Sequence, residues 1–115
     1  MENIVVAPET LPYFEYVEGE TFTHKMLALI NGYFVQQLQA CEQEIREYEL
    51  RYGVTFAEFA ERWENGAISD PWSHSTERDY MEWEGLEAER KNWLAQLRAL
   101  QRQMQSAPQS VYIEG

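Results

Sequence analysis

Tyr48-Glu49-Leu50-Arg51-Tyr52-Gly53-Val54-Thr55-Phe56-Ala57-Glu58-Phe59 holds a helix stop and a helix start within a few residues of each other. Gly53 follows the last member of a helically spaced apolar series. It suits the left-handed position just past a helix end, which glycine adopts without a Cβ clash. Thr55 with Glu58 is a T-x-x-E capping box, in which hydroxyl and carboxylate each satisfy an orphan backbone N–H. Phe56, Phe59, Ala60 and Trp63 give the new helix one apolar face, and Gly66 ends it. One helix therefore closes at about Tyr52 and another opens at Thr55.

Upstream of this break the apolar positions Leu27, Ile30, Phe34, Leu38, Cys41, Ile45, Tyr48 and Tyr52 recur at steps of three and four, the spacing of a helix with a near-heptad stripe. Thr21 or Thr23 caps its start. Leu29 and Tyr33 widen the stripe in its first half, so that half is expected to be the more deeply buried. Gly32 costs about 1 kcal/mol relative to Ala inside a helix and marks a close backbone contact or a bend. Downstream, Ala67 to Ser75 contains Asp70-Pro71 and reads as a loop. A third helix is expected from Ser75 or Thr76 to about Met104, with Thr76 and Asp79 as a second capping-box candidate. Its apolar series is Trp83, Leu86, Trp93, Leu97, Leu100 and Met104, with Arg90 on the stripe between Leu86 and Trp93. Acidic residues crowd its first half and Arg90, Lys91, Arg98 and Arg102 its second, which suits the helix dipole.

The fold class is all-α: two long antiparallel helices joined through a short one. Leu27, Ile30, Phe34, Leu38, Ile45, Tyr48, Trp83, Leu86, Trp93, Leu97 and Leu100 form the seam, and Phe56, Phe59 and Trp63 cover one end. Two helices bury little alone, so completion as a homodimeric four-helix bundle is expected. Three regions follow: an acidic arm over 1–20, a helical domain over 21–105 and a tail over 106–115. The arm has no Lys or Arg, and Pro8 and Pro12 interrupt a helix. Ile4-Val5-Val6 and Tyr13-Phe14-Glu15-Tyr16-Val17 are β-prone, so the arm is expected to be extended with strand character. It folds against a partner or lies as a lid on the chain's own helices. Val111-Tyr112-Ile113 is a candidate terminal strand.

The chain has 20 acidic and 9 basic side chains, a formal net charge of -11. Affinity for phosphates comes largely from Lys and Arg, so direct nucleic-acid binding is disfavoured and a basic protein is the natural partner. Cys41 is the single cysteine, which rules out an intrachain disulfide and points to a reducing, cytoplasmic setting. The first residues lack a basic n-region and a long apolar h-region. Met26 to Ile30, the longest apolar run, falls far short of the ~20 residues a bilayer requires. No membrane association is expected.

Chemistry finds little support. His24 and His74 lack another His or Cys at ligand spacing. Glu44 with Glu47 and Glu58 with Glu61 lack the Glu-x-x-His partner of a di-metal bundle, so no metal or other cofactor is expected. Cys41 lies on the apolar stripe beside Glu42 and Glu44, which raise its pKa. Ser73 and Ser75 around His74 are read as capping residues, and phosphate-binding glycine loops are absent. The chain reads as a non-enzyme. What remains is recognition surface. Asp79-Tyr80-Met81-Glu82-Trp83-Glu84 alternates aromatic or sulfur side chains with carboxylates. It is a core stripe with a solvated acidic flank, or a site where a basic partner meets carboxylates around an aromatic anchor. Arg90 either pairs with Glu47, Glu49 or a second chain, or snorkels past Trp93 to water.

The block Tyr48 to Phe59 resembles the "YExKYG-hydrophobic-S/T-x-x-E-F" signature of small helical proteins in prokaryotic toxin–antitoxin operons. Glu77 to Glu87 is similar to the "E-x-D-hydrophobic-x-E-W-x-x-L" element that follows in the same proteins. The matched region spans about residues 41–100. The loop Asn65 to Ser75 and the first 20 residues depart from that pattern. The resemblance implies an antitoxin that covers a small, basic, ribonuclease-like toxin. Asp79, Glu82, Glu84 and Glu87 would then form the electrostatic footprint, and the arm, with Tyr13, Phe14 and Tyr16, would wrap the toxin. The competing reading is a homo-oligomeric helical scaffold with no toxin partner.

Overall fold

Gly53 adopts φ 72°, and its N–H donates to the Glu49 carbonyl at 2.7 Å, which closes the first long helix in the left-handed geometry glycine favours. The capping box two residues later is complete: the Thr55 hydroxyl accepts from the Glu58 N–H at 3.3 Å, and Glu58 Oε1 accepts from the Thr55 N–H at 3.3 Å. Such a cap is worth about 1 kcal/mol. The computed structural model describes residues 7–68, 71 and 73–106. Within them a 3-10 helix, Pro8–Tyr16, precedes α1 (Phe22–Tyr52), α2 (Phe56–Glu64) and α3 (His74–Ser106). The described residues contain no strand. Ile4–Val6, Val111–Ile113 and the tail beyond Ser106 lie outside them.

α1 and α3 run antiparallel. Phe34 meets Trp93 at 5.5 Å between ring centroids, Cys41 meets Leu86, Tyr48 meets Glu82, and Tyr52 meets Asp79, so numbers rise on one helix as they fall on the other. α2 folds back over one end of this pair, hereafter the closed end. There Cys41, Ile45, Tyr48, Phe59 and Trp83 form the buried core, with Tyr52, Phe56, Trp63, Tyr80 and Leu86 packed around it. Fully burying a side chain the size of Phe59 stabilises by about 1.5–3 kcal/mol. The hairpin is long, with extents of 62 × 28 × 24 Å. Among the described residues no helix is long and apolar enough to cross a membrane.

The expected depth of burial is reversed. Leu29, Ile30 and Tyr33, in the first half of α1, are exposed, whereas the buried positions of α1 are Cys41, Ile45 and Tyr48. A two-helix pair shields only the seam between its members. Full burial needs a third layer, which α2 supplies at the closed end alone. Leu97 is buried at the open end, while Leu27, Phe34, Leu38, Trp93 and Leu100 are half-buried. Ile30 is thus not a core residue of this chain. Gly32 is exposed, and a Cβ built on it would meet nothing within 4 Å, so no neighbour in the chain requires glycine there. Asn31 Oδ1 is enclosed without a hydrogen-bond partner, an arrangement that costs about 1–3 kcal/mol.

Two local expectations are corrected. α3 begins at His74, because the Ser73 hydroxyl accepts from the Thr76 N–H at 3.1 Å; the Thr76–Asp79 box does not form, and Asp79 turns towards α1. Residues 8–16 are helical rather than extended. Pro8 sits in the first turn, where its fixed φ suits a helix and its missing N–H costs nothing. The short run tolerates Pro12, and the Val17 N–H closes it on the Phe14 carbonyl at 3.1 Å. It reaches the start of α1 through the Phe14 ring on Phe22 at 5.4 Å and through Lys25 Nζ on the Val17 carbonyl at 2.7 Å. Gly19 makes that turn at φ 123°, where a Cβ would come within 2.8 Å of His24 Cβ.

Candidate functional site

The Ser73 cap sets where α3 starts, and the burial of Trp83 and Leu97 turns one face of it inward, with Asp79 and Leu86 on that face. Trp83 has 0% exposure; it stacks with Tyr48 at 5.5 Å and Tyr52 at 5.8 Å and meets Phe59 at 5.2 Å. Two carboxylates near it bond across to α1, Asp79 from within the seam and Glu82 from its exposed edge. Asp79, 8% exposed, accepts on Oδ2 from the Tyr52 hydroxyl at 2.5 Å and from the Arg51 guanidinium at 2.9 Å. Glu82 Oε2 accepts from the Tyr48 hydroxyl at 2.5 Å. Burial foremost, then the hydrogen bond to a carboxylate, pushes the phenols of Tyr48 and Tyr52 each up to about 12. Asp79 is therefore not an exposed contact, and Trp83 is no surface anchor.

The expected footprint does not converge. Glu82 and Glu87 are five residues apart, about 140° around a helix of 100° per residue, so they flank opposite edges of the seam. Glu87 lines an open cleft of about 430 Å³ with Glu42, Arg46, Glu49, Phe56 and Arg90. Arg90 Nε donates to Glu42 Oε2 at 3.3 Å, so its partner is Glu42 rather than Glu47 or Glu49. Glu84 is exposed. Tyr13 and Tyr16 are exposed and Phe14 lies on Phe22, at the other end of α1 from Asp79. Roughly 45 Å of helix, at ~1.5 Å per residue, separates the arm from the acids of α3. One surface does not hold both.

What the closed end does present is a ridge. Glu77, Met81 and Glu84 are spaced by four and three residues on α3 and share one face. Met81 is 70% exposed, an apolar side chain projecting between carboxylates. Residues 42–64 and 74–91 together carry thirteen carboxylates against Arg46, Arg51, Arg62, Arg78, Arg90 and Lys91, so the acidity concentrates at this end. Met81 lies in the tract 79–84 that the sequence marked as a recognition surface, but neither it nor Glu77 was among the expected partner contacts. The available signal was that one helix cannot turn both Trp83 and Met81 inward.

The cleft lining offers one hydroxyl, that of Thr55, which is bound to Glu58 at 3.0 Å in the helix cap. Burial, reinforced by Glu89, Glu44, Glu87 and Glu42, pushes the Cys41 thiol up to about 11, and its Sγ donates to the Leu86 carbonyl at 3.2 Å. Among the described residues no group of three His, Cys, Asp or Glu is placed to hold a metal ion. Comparison of the chain with family models, curated proteins and solved structures finds no match in any of the three.

Proposed function

We propose that this chain is a non-catalytic protein-binding module whose closed end docks a basic partner protein. The observation that carries the reading is the α3 ridge, with exposed Met81 between Glu77 and Glu84 on the most acidic part of the chain. Carboxylates around an apolar anchor steer a basic surface and then hold it: the charges set the rate and register of encounter, and the desolvated side chain slows release. The hairpin beneath is packed on Trp83 and tied by Arg51–Asp79 and Tyr48–Glu82, so the ridge pays little ordering entropy on binding. The resemblance of residues 48–59 and 77–87 to antitoxins makes a small basic ribonuclease-like toxin the leading partner. In this reading the protein works without a cofactor in the reducing cytoplasm, where Cys41 stays a buried thiol. A second copy completes a four-helix bundle, and Tyr13 and Tyr16 of the arm contact whatever is bound at the open end.

Co-expression with the product of the neighbouring gene tests the reading. Growth should be restored by the wild-type chain and not by the Met81→Lys/Glu84→Lys variant, and complex formation should weaken as salt is raised. Undiminished toxicity with the wild type, or a complex insensitive to both the variant and salt, overturns it.

A further inference from the structure

Trp83 and Leu97 turn one face of α3 into the molecule. On the opposite side of the helix Met81, Gly85, Ala88, Asn92, Ala95 and Ala99 recur at steps of four, three, four, three and four, and all six are exposed. At ~1.5 Å per residue they make an uncharged outer face roughly 27 Å long. Their spacing is that of a seam that receives another helix lengthwise, and a strand or loop has no such period. Gly85 marks the closest approach. It lies inside α3, is not a positive-φ glycine, and a Cβ built on it meets nothing within 4 Å. Glycine weakens a helix interior relative to alanine, so α3 loses stability there and no contact among the described residues requires it. The distance between packed helix axes, about 8–10 Å, is set by the side chains at the contact, so Gly85 and Ala88 admit a second backbone beside Met81 at the short end of that range.

Charge identifies the occupant. Glu77 and Glu84 line one edge of the face and Glu82 and Glu89 the other, and Arg78 is the single cation of residues 77–89. Two of these carboxylates are held in place: Glu82 accepts from the Tyr48 hydroxyl, and Glu89 from Trp93 Nε1 at 3.4 Å. Seven residues further on, Lys91 and Arg98 continue the first edge, and Gln96 and Gln103 the second. The face therefore fits a helix that is basic on both edges of one half and lacks cations on the other. A second copy of this chain does not supply it. Laid antiparallel, its α3 would match Lys91 and Arg98 to Glu84 and Glu77 along one edge and set Glu82 and Glu89 against the same two residues along the other. Laid parallel, it would oppose carboxylates along both edges. We propose that residues 81–99 of α3 seat an α-helix of the basic partner, with the cationic half of that helix over residues 77–89 and its backbone closest at Gly85. This rests on the reading that the closed end docks a basic protein, and adds which element of that protein docks and where.

Two synthetic helical peptides, each about three heptads long, test it against the full chain. Both carry leucine and alanine at the seam positions; one has lysine and the other glutamate at the edge positions of one half. By fluorescence anisotropy the lysine peptide should bind and the glutamate peptide should not. Gly85→Gln should weaken lysine-peptide binding about tenfold, because it fills the point of closest contact. Its helical circular dichroism should be undiminished, since glutamine is the better helix former. Leu50→Gln, at an exposed site on α1 outside this face, should bind as the wild type does. Absence of lysine-peptide binding, or equal affinity of Gly85→Gln and wild type, overturns the inference. If Gly85→Gln binds normally while Met81→Lys/Glu84→Lys does not, the basic-partner reading stands without the seated helix; indifference to both variants overturns both. A wild-type dimer that Gly85→Gln dissociates in sedimentation equilibrium puts a second copy on this face and likewise overturns the inference.

Discussion

The Tyr52 hydroxyl, at the last turn of α1, donates at 2.5 Å to Asp79 near the first turns of α3, on the same carboxylate oxygen that receives Arg51. This junction ties the last turn of α1 to the first turns of α3. Asp79→Ala leaves a half-buried phenol without its acceptor and should cost about 1–3 kcal/mol in urea unfolding. Asp79→Asn keeps an acceptor for Tyr52 but loses the charge facing Arg51, and should cost less. Equal midpoints for wild type and Asp79→Ala would show that the bond contributes nothing.

Alkaline pH should unfold the closed end. Tyr48 and Tyr52 both ionise at about 12 in the folded chain against an ordinary 10, and Cys41 at about 11 against 9. In each the folded pKa is raised, so the neutral group's contribution is fully present below the unfolded value and is lost as pH climbs through the folded one. Stability should hold to about pH 9 and fall between pH 9 and 12. For buried Tyr48, two pKa units correspond to roughly 2–3 kcal/mol. Tyr48→Phe should flatten part of this fall, as read by thermal melts across that pH range.

The break at Gly53, the capping box at Thr55 and the antiparallel pairing were legible in the sequence, because each depends on residues a few positions apart or on a repeating period. Which half of the hairpin is buried was not. The apolar width of Leu29, Ile30 and Tyr33 does not set their burial, because these residues stay exposed where α2 supplies no third layer. Asp79 was misjudged for a related reason. An acidic residue four before Trp83 reads as solvated flank until the hydroxyl of Tyr52, which needs an acceptor when buried, is placed across from it. Pro8 and Pro12 exclude a long α-helix, and a short 3-10 run escapes that exclusion.

Cys41 should behave as a core methyl equivalent rather than a reactive thiol. It is 1% exposed, and its raised pKa leaves little thiolate at pH 8. A thiol-specific chromogenic reagent should modify it at least tenfold more slowly in the folded chain than in denaturant (an order-of-magnitude expectation from thiolate fraction and access). Equal rates would place the thiol at the surface.

Two glycines should respond to alanine in opposite directions, and the contrast isolates backbone geometry from contacts. Gly53 and Gly85 both have open space around the position a Cβ would take, with nothing within 4 Å, so neither substitution meets a clash. They differ in conformation. Gly53 holds φ 72°, where an L side chain strains against its own backbone, while Gly85 lies within α3 and is not among the positive-φ glycines. Gly53→Ala should therefore lose about 1–2 kcal/mol and loosen the α1–α2 corner. Gly85→Ala should gain about 0.5–1 kcal/mol, because alanine gives up less backbone freedom on entering a helix. Denaturant midpoints measured side by side decide it. If Gly85→Ala destabilises instead, α3 is not a continuous helix through that residue.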